Sequence, residues 1–147
     1  MKKPVLRLLF VALLILAGGR AYGQTRTMDI PRCKALIAAC DSIYIQPAQY
    51  DFMVGQCRIL ADQYLAETAR IKKISDKDAR KEAANRVNSN LGAEYNIYER
   101  LIRILKAAMK DDDAVQSMGR ERAVEVQHLL NDNWYINQMF TVYRSRY

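Results

Sequence analysis

The sequence predicts an all-α fold, an antiparallel helical bundle of three long helices with a short first helix. Apolar residues recur at alternating steps of three and four along most of the chain, which is the period of one helix face. No segment keeps up the alternation of a β-strand, and no proline follows Pro47. Short polar connections join the periodic segments, as in bundles of neighbouring antiparallel helices, and the same spacing permits coiled-coil packing.

The N-terminal stretch is typical of an export signal. Three positive residues precede an unbroken apolar run over residues 8–17, and small residues then suit cleavage after Gly23. The run is well short of the ~20 residues that span a bilayer. We therefore expect a signal peptide over residues 1–23, no permanent membrane span, and a single exported domain over 24–147, periplasmic or secreted from a bacterium.

Much of the positive charge of the chain lies in this N-terminal stretch. The formal net charge is +7, and removal of the four Lys and Arg residues of positions 1–23, which contain no acid, leaves about +3. Nucleic-acid binding needs a clustered basic face. The remaining basic residues around 72–81 alternate with acids, as on a solvated helix face. We expect no nucleic-acid partner.

The first two helices are placed by proline and by capping residues. Asp29 as N-cap and Pro31 in the first turn predict the start of the first helix, and the residue before Pro47 interrupts it. The second helix is predicted over 47–73. The apolar positions expected on the first helix are Cys33, Ile37, Cys40 and Tyr44, and those on the second are Tyr50, Met53, Val54, Cys57, Leu60, Ala61, Tyr64, Leu65 and Ile71, with Thr68 as a polar member.

The third helix is predicted over about 76–110, with Ser75 as the preferred N-cap and a kink or short break within residues 88–92, which are poor helix formers. The acidic residues 111–113 suit the entry to a fourth helix. Its pattern loses phase around 131–133, which predicts a separate last helix from residue 134 to 146. The expected inward residues of helices three and four are Val87, Leu91, Tyr98, Ile102, Leu105, Met109, Val115, Met118, Ala123, Val126, Leu130 and Trp134.

Motifs for catalysis, metals and cofactors are missing from the sequence. His128 is the single histidine, and no zinc-binding spacing surrounds it. The acidic residues 111–113 resemble the start of a calcium loop, but Val115 stands where such a loop places an oxygen ligand. No phosphate-cradling glycine loop or nucleophile elbow occurs. We expect no enzyme activity, no catalytic or metal site and no bound cofactor.

The C-terminal stretch NWYINQMFTVYRSRY is rich in the residue types that anchor protein interfaces. An alternative interpretation is that these side chains close one end of the bundle. The interface candidates in this stretch are Trp134, Tyr135, Met139, Phe140, Tyr143 and Tyr147.

Three cysteines raise the question of a disulfide, because export leads to an oxidising compartment. Cys33 and Cys40 lie seven residues apart on one predicted helix, about 10 Å along its axis, which is too far for a bond. Cys57 on the second helix is therefore one half of any bridge. A second helix that starts at Pro47 favours the pair Cys33 and Cys57, and a later start favours the alternative pair Cys40 and Cys57.

These features predict an exported, non-catalytic helical protein that acts as an interaction or structural component of the bacterial envelope, with a protein partner or with itself. One alternative is a periplasmic small-ligand carrier with an apolar pocket between helices, lined by tyrosine and methionine. Another alternative is an accessory component of a secretion or conjugation apparatus.

Overall fold

The computed structural model describes residues 27–40 and 45–144, with side chains up to residue 140. The described part is an all-helical bundle without strands, as the sequence predicts. Its helices are α1 (Ile30–Ala39), α2 (Pro47–Lys72), α3 (Lys77–Asn90), α4 (Gly92–Met109), α5 (Asp112–Met118) and α6 (Arg120–Arg144). The expected signal peptide, its cleavage site, Tyr44 and Tyr147 lie outside the described residues.

Local capping explains where the first two helices begin. The Asp29 side chain accepts a hydrogen bond from the backbone N–H of Arg32 at 3.2 Å, and Pro31 occupies the first turn of α1, as predicted. At the start of α2, the Gln49 side chain accepts from the backbone N–H of Gln46 at 2.7 Å. This reciprocal box satisfies N–H groups that a helix start leaves without partners, so the predicted start at Pro47 is confirmed.

Helix α1 is shorter than the sequence analysis expected. It ends at Ala39, and Cys40 forms its C-cap with a half-buried side chain. The predicted inner stripe therefore reaches only from buried Cys33 to half-buried Ile37. In the sequence Cys40 is followed by Asp and Ser, two residue types that favour helix ends over helix interiors.

The predicted third helix consists of α3 and α4, which are separated at Leu91. This confirms the short break expected within residues 88–92. The N-cap of α3 is Asp76, whose side chain accepts from the backbone N–H of Ala79 at 2.9 Å, so the prediction of Ser75 was wrong by one residue. Both residues can cap a helix, and the carboxylate also interacts favourably with the positive end of the helix dipole.

The C-terminal part of the chain differs most from the prediction. Asp111 caps α5 as expected, accepting from the backbone N–H groups of Asp113 and Ala114. The chain then breaks at Gly119 and not at 131–133, because Gly119 has φ 88° and ψ 158°, a conformation that side chains with a Cβ rarely adopt. Helix α6 runs through 131–133 without interruption, so the separate last helix was a wrong prediction.

The phase of α6 explains this error. Its buried side chains recur in steps of three and four, and the middle one is the polar residue Asn133. The sequence analysis treated Asn133 as part of a loop and continued the stripe through Leu130 to Trp134, but Leu130 is only partly buried and Trp134 is 65% exposed. The buried stripe of α6 is Val126, Leu129, Asn133, Ile136 and Phe140.

Aromatic side chains from three helices meet in the core. The ring of Tyr64 on α2 contacts Phe140 on α6 and Tyr95 on α4 edge-to-face, with centroid distances of 5.0 Å and 5.8 Å. Nearby, the Tyr98 hydroxyl donates a buried hydrogen bond of 2.9 Å to Oδ1 of Asn133. Thr68, the polar member of the α2 stripe, is buried with its hydroxyl donating to the carbonyl oxygen of Tyr64 at 2.8 Å. The buried hydroxyls of Tyr98 and Thr68 are thus both paired beside the aromatic cluster.

The predicted disulfide is not formed. None of the three cysteines forms a disulfide or lies at disulfide distance from another, so both the pair Cys33 and Cys57 and the alternative Cys40 and Cys57 were wrong. The prediction placed the cysteines by counting residues outward from a tight helical hairpin, and such a count does not give the distance between side chains on two helices. The thiol of Cys33 instead donates to Oε1 of Gln56 at 3.6 Å.

We expect replacement by alanine to stabilise the protein at Gly55 in α2 and to destabilise it at Gly119 between α5 and α6. At Gly55, exposed within α2, an added Cβ meets no atom within 4 Å, so Gly55→Ala should raise the free energy of unfolding by about 0.5–1 kcal/mol. Gly119→Ala should lower it by roughly 1–3 kcal/mol because of its positive φ. Urea denaturation of the two variants measures both effects, and a stabilised Gly119→Ala protein would contradict the assigned break.

The hydrogen bond between Tyr98 and Asn133 predicts non-additive mutations. Asn133→Leu leaves the buried Tyr98 hydroxyl without its acceptor, and we expect a loss of about 1–3 kcal/mol in the free energy of unfolding. Tyr98→Phe should be costly for the reciprocal reason. The double variant should lose less than the sum of the two single losses, as a double-mutant cycle in urea will measure. Additive losses would show that the two groups do not interact.

Two buried weak acids, the Cys57 thiol and the Tyr98 hydroxyl, predict a loss of stability at alkaline pH. Burial raises the pKa of Cys57 above its ordinary 9.0 and that of Tyr98 above its ordinary 10.0. The folded protein keeps both groups protonated where the unfolded chain ionises, so the unfolded chain binds fewer protons and stability falls as pH rises past 9 and then 10. Urea midpoints across this range measure the fall, which should be smaller in Tyr98→Phe. An unchanged slope in that variant would contradict the assignment.

Candidate interaction surface

Helix α6 carries a second regular stripe on the face opposite its buried stripe. The two stripes are offset by two residues, which corresponds to about 200° around a helix of 3.6 residues per turn. Every member of this second stripe is exposed and uncharged. We call it the outer stripe, and its residues are Val124, Gln127, Asn131, Trp134 and Gln138.

The outer stripe is unusual for a solvent-facing helix surface. Val124 and Trp134 are 48% and 65% exposed and are the large hydrophobic side chains classed as exposed among the described residues. Between them, Gln127 donates from Nε2 to Oδ1 of Asn131 at 2.9 Å. A solvated face normally carries charges, whereas the sequence has no Lys or Arg at all from 123 to 143.

An apolar groove lies beside the N-terminal end of the outer stripe. The end of α4, α5 and the first turns of α6 border a shallow, open depression of about 570 Å³ there. Met109, Val115, Ala123 and Val124 provide its apolar lining, and Arg120 lies among the polar residues that complete it. We call this depression the apolar groove. Val124 belongs both to it and to the outer stripe.

Ion pairs fix the flank of α6 that faces α2. Arg122 donates from Nε and Nη2 to the two carboxylate oxygens of Asp51 at 2.8 Å and 3.1 Å. Further along, Arg58 donates to Asp132 at 2.6 Å. Burial lowers the pKa of Arg58, but the hydrogen bond and charge of Asp132 outweigh it, so the net shift is upward and the guanidinium stays charged. These pairs hold α6 at a fixed rotation relative to α2.

The same two helices border a surface cleft of about 490 Å³. Val54, Gly55 and Arg58 line it from α2, and Glu125 and His128 line it from α6, together with Asp51. His128, the single histidine of the chain, is exposed here. In the portion of the chain described, no group of three or more His, Cys, Asp or Glu residues has an arrangement that could hold a metal ion.

The structure separates the interface candidates of the C-terminal stretch. Trp134 is exposed, while Tyr135 is half-buried, with its hydroxyl bonded to the Lys72 ammonium, which also lies 5.0 Å from the ring centroid. Met139 packs against the core. Phe140 is 1% exposed and belongs to the core, as in the alternative interpretation that these side chains close one end of the bundle. Tyr143 lies in α6, but its side chain is outside the description, as is Tyr147.

The sequence analysis missed the apolar groove and the role of Val124. A signal for the outer stripe was present, because uncharged residues recur in steps of three and four from 124 to 138. It went unrecognised because Trp134 was placed on the inward face. The groove itself depends on the approach of α4, α5 and α6, which the period of a single helix does not reveal.

Two further findings complete the description. None of the described helices combines the length and the apolar character that a membrane crossing requires. Comparison with protein-family models, with curated proteins and with solved structures gives no match to this chain.

Proposed function

We propose that this chain is an exported, non-catalytic helical protein that acts as an interaction or structural component of the bacterial envelope. The observation that carries the proposal is the outer stripe with its adjoining apolar groove. Exposed Trp and Val beside an apolar depression are characteristic of protein-binding surfaces, where a few buried aromatic and aliphatic anchors supply most of the affinity.

The proposal includes the arrangement of the helices as an antiparallel bundle of three long units with α1 as a short first helix. The second unit joins α3 and α4, and the third joins α5 and α6. Two hydrogen bonds support opposite directions for α4 and α6, since Tyr95 contacts Asn137 and Tyr98 contacts Asn133. Such a bundle holds the outer stripe straight and rigid, which lowers the entropy cost of binding.

The chemistry of the outer stripe favours a protein partner over a nucleic acid. Phosphate binding requires lysine or arginine, and neither occurs from 123 to 143. The two acids in this stretch, Glu125 and Asp132, lie on the flank towards α2, where Asp132 is paired with Arg58. Export rests on the positive and apolar N-terminal sequence, and it places the partner in the periplasm or outside the cell.

The small-ligand carrier has less support. The tyrosine and methionine side chains that would line its apolar pocket, Met53, Tyr64 and Tyr98, are completely buried by core packing. The clefts of the described residues are grooves at the surface, and the one of about 490 Å³ between α2 and α6 is bordered by charged side chains. An accessory role in a secretion or conjugation apparatus would use the same outer stripe, with a component of the apparatus as the partner.

Site-specific photo-crosslinking in intact cells tests the proposed function. We expect a photoreactive phenylalanine at position 127 or 134 to give a discrete protein adduct, which Val124→Glu in the same chain removes. The matched control is the same amino acid at Ala69, an exposed position of α2, which should give none. Mass spectrometry identifies the partner and shows whether the mature chain begins at Gln24.

Two results would refute this function. One is the absence of any protein adduct at positions 127 and 134. The other is an equal yield of adducts at Ala69, since that would show contact without a defined surface. An adduct with a component of a secretion apparatus would favour the third function over a general envelope role.

A further inference from the structure

We infer that the partner on the outer stripe is a second copy of this chain, bound antiparallel across a two-fold axis, with Trp134 of each copy seated in the apolar groove of the other. This inference rests on the proposed function, because it names the partner of the same surface. Four properties of the outer stripe support it.

The first property is that a protrusion and a depression lie on one face. Trp134 projects at one end of the outer stripe, and the apolar groove opens at the other end, beside Val124. Ten residues of helix separate the two positions, about 15 Å along the axis. In a two-fold dimer the same patch faces itself, so it must contain both halves of every contact. A protrusion and a matching groove on one patch meet this requirement.

The second property is the spacing of the stripe. Steps of three and four are the spacing with which one helix packs along another, side chains filling the gaps of the partner. With the axis near residue 129, Val124 faces Trp134 of the second copy and Gln127 faces Asn131. A parallel arrangement would instead place Trp134 against Trp134 and leave both grooves empty.

The third property is the character of the central positions. Gln127 and Asn131 bond to each other within one chain, so both amides keep a partner when water is removed from the contact. Uncharged amides at the centre of a helix pair cost little desolvation compared with charges, and they define the register. An apolar centre would allow the two helices to slide.

The fourth property is charge. The outer stripe carries no formal charge, so two copies meet without like-charge repulsion although the chain as a whole is positive. The positive residue at the apolar groove, Arg120, lies where the indole of Trp134 from the second copy would enter. A guanidinium over an indole is the most favourable common cation–π pair, so this charge stabilises the contact.

Analytical ultracentrifugation of the purified full-length chain tests the dimer. We expect the native chain to sediment as a dimer, and Trp134→Ala and Val124→Glu to sediment as monomers with unchanged helix content by circular dichroism. Both positions are largely exposed, so neither change should unfold the bundle. The matched control Ala69→Glu, which places the same new charge on the exposed face of α2, should remain dimeric.

Engineered cysteines test the orientation. In a Cys40→Ser background, which leaves the buried Cys33 and Cys57, chains with Val124→Cys mixed with chains with Trp134→Cys should form a crosslinked dimer on oxidation. Chains with Val124→Cys alone, which keep Trp134, should not, because about 15 Å separates the two sulfur positions across the axis, beyond the reach of a disulfide.

The outcomes separate this inference from the proposed function. A native chain that is monomeric, or crosslinking of Val124→Cys only with itself, overturns the antiparallel dimer. If a monomeric chain still gives a discrete adduct with a different protein in cells, the proposed function stands and the self-association fails. If the adduct in cells has twice the mass of the chain, both are supported.

Discussion

The buried hydrogen bond from Tyr98 to Asn133 is the constraint on which the described structure most depends. It fixes the register of α4 against α6, because a donor and an acceptor removed from water must meet each other. A shift of one residue would rotate the contact face of α6 by about 100°. The register therefore decides that Phe140 packs on Tyr64 and that Trp134 faces outward. A polar pair in the core determines where the hydrophobic surface lies.

The same pair explains how much of the fold the sequence predicts. Capping and proline placed Asp29, Pro47 and Asp111 correctly, and weak helix formers revealed the break at Leu91, because such signals are local. The buried face of α6 can be identified only if Asn133 is recognised as a core residue. Its polar side chain is stable in the core because it accepts a hydrogen bond from Tyr98 on α4. Periodicity alone treats it as an interruption, so the phase of α6 was predicted wrongly.

The sequence indicates which residue types could form the candidate site, but it does not show which of those side chains are exposed or that a groove lies beside them. An aromatic C-terminal stretch drew attention to Trp134, which is exposed, but equally to Phe140, which fills the core. The groove beside Val124 arises where three helices meet and has no signal of its own in the chain. The cysteine pairing failed because residue counts along two helices do not give the distance between their side chains, and the Cys33 thiol bonds to Gln56 instead.

The way α1 packs on the bundle indicates that this helix can detach before the rest of the protein unfolds. This helix of ten residues packs against α4 as well as α2, and Cys33 is its one buried side chain. On the side of α2, Gln56 accepts from the backbone N–H of Asp29 at 2.7 Å, and Arg32 lies 4.3 Å from the Phe52 ring centroid. Short segments held by few contacts open at lower free energy than the core. Cys33 on α1 and Cys57 on α2 are both buried. Alkylation of both thiols at a rate faster than global unfolding would therefore measure how often α1 detaches from the rest of the bundle.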